Sequence, residues 1–79
     1  MKTLDEAIGC IITITITDRY RYEMGGGLLF SRTGEREQIR IVSKLYDEPE
    51  ASIQSRVSAA TRLTFAEVRE FVLKEKVSV

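Results

Sequence analysis

The chain contains no histidine and no tryptophan, one cysteine and one proline. Without histidine, the commonest general base and the commonest neutral metal ligand are both missing. One cysteine without histidine also excludes the usual zinc-binding sets, and Cys10 has no second thiol with which to close a disulfide. A lone cysteine fits a reducing compartment, and the protein is expected to be cytoplasmic. Asp5 and Glu6 precede the first apolar run, where a secretory leader would carry basic residues. That run, Ile8 to Ile16, is broken by threonines and too short to span a bilayer, so no membrane association is expected.

Charge of one sign is not in excess either. Twelve basic residues balance twelve acidic ones and the sequence pI is near 6.3, so any attraction to a polyanion must come from local patterning. With 43% hydrophobic and 30% charged residues, the 79-residue chain reads as one folded domain spanning 1–79. A chain of this size buries only about 60% of its unfolded surface, which makes a larger partner or a homodimer a natural source of further burial.

The most conspicuous pattern has a period of two. From Ile8 to Met24 the even positions are apolar apart from Asp18, while Thr13, Thr15, Thr17, Arg19, Arg21 and Glu23 occupy the odd ones. Alternation of this kind predicts a long first strand, bent or turned at Asp18, with Cys10 as an inert thiol on the buried face. Gly25, Gly26 and Gly27 supply a hairpin turn, Leu28 to Arg32 return as a second strand, and Gln38 to Tyr46 form a third after the turn at Thr33 and Gly34. Gly25–Gly27 lack the spacing of a phosphate-cradling loop.

Helical signals begin at Asp47, Glu48 and Pro49. Ile53, Val57 and Ala60 predict a first helix over about Pro49 to Ala60, with the small residues Ser52, Ser55, Ser58 and Ala59 elsewhere on its surface. Thr64 and Glu67 have capping-box spacing, Leu63 is placed to staple against Val68, and a second helix is predicted from Phe65 to about Lys76, burying Val68, Phe71 and Val72. Val77, Ser78 and Val79 read as a short strand or tail. The expected fold class is therefore α+β: an antiparallel three-stranded sheet followed by two helices packed on its isoleucine face.

No residue combination supports catalysis. Asp47, Glu48 and Glu50 serve a helix start, and no enzyme activity, metal or cofactor is expected. Binding is the remaining chemistry. On the expected sheet, Arg19, Arg21, Arg40 and Lys44 share the face opposite the isoleucines, forming a basic surface for an acidic partner, with Tyr20 and Tyr22 as interface anchors if the chain turns at Asp18.

Residues Val57 to Phe71, VSAATRLTFAEVREF, resemble the core of a helix-turn-helix, with Leu63 in the turn, Thr64 capping the second helix and Phe71 closing the core. The resemblance covers about a fifth of the chain. It implies a transcriptional regulator, Phe65 to Lys76 in a DNA major groove, and phosphate contacts from Arg62 and Arg69. Elimination favours another reading: a non-catalytic binding protein that inhibits or modulates a larger intracellular protein or complex by occupying its surface. In size and type such a chain is similar to small inhibitors carried by phages and mobile elements, including anti-CRISPR proteins.

Overall fold

The computed structural model describes residues 2–27 and 29–77, with side chains through Lys74. Its elements are three helices, α1 (Leu4–Glu23), α2 (Arg32–Tyr46) and α3 (Glu50–Val77), and no described residue lies in a strand. The α+β expectation is thereby overturned in favour of an all-α fold. The expected long strand is α1, the expected third strand lies within α2, and the two expected helices are parts of the single helix α3. Leu28, at the start of the expected second strand, and Ser78 and Val79, in the expected tail, lie outside the described residues.

Local chemistry at the ends of α1 explains why it is a helix. The Thr3 hydroxyl accepts the Glu6 N–H at 3.2 Å, and Asp5 and Glu6 place negative charge against the first turn. At the other end the Gly26 N–H donates to the Arg21 carbonyl and the Gly25 N–H to the Tyr22 carbonyl, the paired bonds of a Schellman motif. Gly25 has φ +78°, the left-handed conformation that closes such a cap. The three glycines therefore stop a helix and do not turn a hairpin. Gly25→Ala is expected to destabilise the protein by about 1 kcal/mol, because a Cβ is strained at that φ although open space surrounds it; urea unfolding followed by circular dichroism measures the loss.

Between its ends, α1 buries a helical stripe. Ala7, Ile8, Ile11 and Thr15 are buried and Leu4 and Ile12 partly so. The isoleucine series at 8, 12 and 16 that suggests a strand is also a series at four-residue steps, so it fits a helix equally well. Strand alternation fails at the intervening positions: Cys10 is exposed and Ile14 is 45% exposed. Cys10 is thus not a core thiol, and the Lys2 Nζ donates to its Sγ at 3.3 Å. Threonine, a poor helix former, is accommodated because the Thr13 and Thr15 hydroxyls donate to the Gly9 and Ile11 carbonyls, each at 2.9 Å. Asp18 sits inside the helix and neither bends nor turns the chain.

Ser31 caps α2, its hydroxyl accepting the Gly34 N–H at 3.0 Å. Gly34 also lets the Phe30 ring lie flat on the first turn, 2.9 Å from where a Cβ would stand. Asp47, at φ 52° and ψ 48°, ends α2 in the left-handed conformation, and the Glu48 N–H donates to the Ser43 carbonyl. Asp47 is therefore the stop of one helix and not the cap of the next. Pro49 does precede a helix start: its carbonyl accepts the Ser52 and Ile53 N–H groups.

The helices run up, down and up. Tyr46, at the end of α2, donates its hydroxyl to the Lys2 carbonyl, and Arg56, early in α3, pairs with Asp5 at 2.7 Å. Ile8 and Ile11 from α1, Ile39 and Val42 from α2, and Ile53 and Val57 from α3 form the core, with Ile53 and Val57 fully enclosed. At 28 residues α3 is about 42 Å long, against about 30 Å for α1 and about 22 Å for α2, which accounts for the 49 × 23 × 21 Å shape. Beyond the shared core α3 leans mainly on α1; Val72 is buried and Val68 half-buried, whereas Phe71, expected inside, is 55% exposed.

Candidate functional site

Helix α2 joins basic residues that a division into a strand, a turn and another strand would have kept apart. Arg32, Arg36, Arg40 and Lys44 stand at four-residue steps, so they form one ridge of cations with a rise of about 6 Å per step. Arg36 and Arg40 on that ridge face Glu50, Ala51 and Gln54 of α3 across a shallow groove of about 290 Å³. The small side chain of Ala51 leaves the floor open.

The groove widens beside Arg36 into a cleft of about 400 Å³ where the three helices meet. Arg19 enters it from α1, Arg32 and Arg36 from α2, and Arg62 from α3. Arg19 lies on the continuation of the buried stripe of α1, so the interior ends in a guanidinium instead of another isoleucine. Its Cζ is 5.1 Å from the centroid of Phe65, a cation–π contact that fixes the head group. On the floor, Gln54 Nε2 donates to Ser58 Oγ at 2.9 Å and to Glu35 Oε1 at 3.4 Å. Thr61 is buried and uses its own proton on the Val57 carbonyl at 2.8 Å.

Four guanidiniums and one carboxylate, Glu35, therefore line the cleft. Among the described residues none of the four arginines has a carboxylate oxygen within ion-pair distance; the ion pair that forms is Arg56–Asp5, on exposed side chains at the other end of α1. Cations without an ion-pair partner gathered around one recess raise the positive potential there, reinforced by the N-terminus of α2. The chemistry such an arrangement suits is the holding of an anion.

The residues expected to bind a partner are partly gathered here and partly scattered. Arg19 and Arg62, assigned from sequence to two different readings, line the same cleft. Arg40 and Lys44 belong to the ridge. Arg21 does not: two residues from Arg19, it is turned about 200° around the helix and lies beside Leu29 and Phe30. Tyr20 is half-buried and Tyr22 is 54% exposed, so the arginine–tyrosine alternation has no common face. Arg32 and Arg36 were missed; their spacing to Arg40 and Lys44 is the signal, and it joins them only when residues 32–46 form one unbroken element.

The helix-turn-helix geometry is absent, because Val57 to Phe71 lie within one continuous helix. Thr64 is a mid-helix residue and not a cap, Leu63 is 71% exposed and staples nothing, and Arg69 is exposed on α3 outside the groove. The major-groove reading loses the second helix on which it depends.

Fold and site together define a small three-helix bundle with an arginine-lined groove on one flank. No protein-family model, no curated protein and no solved structure matches the chain. No described helix is long and apolar enough to cross a membrane.

Proposed function

We propose that this protein is a non-catalytic binding module that lays its α2 ridge against an acidic surface of a larger protein and modulates that partner by covering it. The observation that carries this reading is the ridge itself: Arg32, Arg36, Arg40 and Lys44 in register on one helix, with no described carboxylate oxygen within ion-pair distance of Arg32 or Arg36. Their spacing of about 6 Å matches the rise between carboxylates four residues apart on a partner helix, so several charge-assisted hydrogen bonds form in one docking event. Specificity follows from concentration of charge. Overall the chain is neutral, so it has little nonspecific pull on polyanions, while the groove presents a local excess of cations.

The test is affinity capture from nuclease-treated and untreated cell lysate, followed by affinity measurements on the purified partner. Arg40→Glu/Lys44→Glu, which reverses the ridge outside the cleft, is expected to weaken binding by at least tenfold and to flatten its salt dependence. Arg21→Glu, off the ridge, is expected to bind as the parent does. Nuclease-sensitive capture, or equal binding by the ridge variant, rejects the proposal.

A further inference from the structure

Resting on the reading of the groove as an anion-binding surface, we infer that the cleft at its wide end is a site for a phosphate monoester. The docking ridge needs only acidic character in its partner. The cleft asks for more, because of how many donors meet there and from how many directions.

Arg19, Arg32, Arg36 and Arg62 reach it from three different helices. Each guanidinium carries five N–H donors in a planar fork, far more than the two oxygens of one carboxylate can engage. A phosphate monoester presents three non-bridging oxygens and a charge of about −1.5 to −2 near neutral pH. Charge points the same way. Glu35 offsets one of the four cations, so a single carboxylate would leave a surplus of two, whereas a dianion leaves one. Glu35 is also held, by Gln54 at 3.4 Å, on the floor of the cleft. Ser58 accepts from Gln54, which leaves its hydroxyl proton for a phosphate oxygen.

The walls favour a ligand larger than the free ion. A volume of about 400 Å³ is in the range of small-ligand pockets, well beyond one phosphate group. Phe65, already stacked with Arg19, gives one apolar wall for whatever carries the phosphoryl group. Two carriers supply this chemistry: a phosphorylated side chain on the docked partner, or a free phosphorylated small molecule.

Titration of the full chain, followed by NMR at the arginine Nε–H groups, tests the site. The probes are a short phosphoserine peptide, the same peptide with glutamate in its place, and adenosine monophosphate. A phosphorylated probe is expected to shift Arg19, Arg32, Arg36 and Arg62 saturably and to bind at least tenfold more tightly than the glutamate peptide. Preference for the phosphopeptide assigns the phosphate to a protein partner; preference for the nucleotide assigns it to a metabolite; either supports the site. Arg36→Gln/Arg62→Gln is expected to abolish the shifts with its helical circular dichroism retained, and Arg56→Gln to leave them intact. Arg62→Lys keeps the charge without the fork, so partial loss in that variant separates geometry from charge. The inference fails if glutamate and phosphoserine peptides bind alike, or if the shifts spread equally to Arg21, Arg56 and Arg69. Loss of phosphate binding alone leaves the docking reading standing, since Arg40→Glu/Lys44→Glu tests that separately.

Discussion

Ile53→Ala is expected to destabilise the protein by about 2–5 kcal/mol, enough to leave it partly unfolded at 37 °C. Ile53 has no solvent exposure and lies in the cluster with Ile8, Ile11, Ile39, Val42 and Val57, so all three helices lose contacts when its branched chain is removed. A 79-residue domain has roughly 4–12 kcal/mol of total stability, so one such cavity removes a large fraction of it. Urea denaturation followed by circular dichroism gives the difference directly. Ile41→Ala is the matched control: it deletes the same atoms from a side chain that is 56% exposed and is expected to change stability by less than about 0.5 kcal/mol. Comparable losses in the two variants would contradict the seating of α3 against α1 and α2.

Leu63→Pro is expected to be nearly as damaging for a different reason. Leu63 is 71% exposed, so little packing is lost and the backbone effect is isolated. Inside a continuous α3, proline removes an N–H from the hydrogen-bond ladder and its ring collides with the preceding turn, at a cost of about 3 kcal/mol or more. Were residues 61–64 the turn of a helix-turn-helix, proline would be tolerated there. Arg62→Gly sharpens the contrast, since glycine weakens a helix interior by about 1 kcal/mol yet suits a turn. Melting temperatures of the two variants therefore report whether α3 is one rod or two.

Much of the helical half was legible. Pro49 does mark a helix start, and Ile53 and Val57 are the enclosed residues that their spacing suggests. The break at Leu63 and Thr64 was misread because a capping box describes what a helix start needs and not what forces one. Thr64 and Glu67 have the spacing, but the chain from Glu50 onward contains neither glycine nor proline to end the helix before them. The N-terminal half failed for the opposite reason. Alternating isoleucine and threonine favour a strand locally, and that weak propensity is overridden by burial of the stripe through Ile8, Ile11 and Thr15. Thr3 three residues before Glu6, and Gly25 just beyond Glu23, were the decisive signals, and both sit at the ends of the pattern. Once α1 is a helix, Arg19 and Arg21 separate; once residues 32–46 form the single helix α2, Arg32, Arg36, Arg40 and Lys44 align. The binding surface was therefore half visible: its residue types were apparent, but their grouping depends on the period of the backbone.

The interior of the bundle is uneven along its length. Near the start of α1 the seam is isoleucine and valine, fastened by Tyr46 on the Lys2 carbonyl and Arg56 on Asp5. Further along, α1 and α3 place Thr15 and Thr61 inside, and both hydroxyls turn back on carbonyls of their own helices, bonding nothing across the gap. Beyond them stands Arg19. Toward the cleft the contacts between helices thus change from apolar packing to polar and cation–π ones, such as Arg19 on Phe65 and Gln54 on Glu35. An anion held jointly by Arg19, Arg32 and Arg62 would act as a further rivet, tying α1, α2 and α3 together at one point and stabilising the fold by mass action.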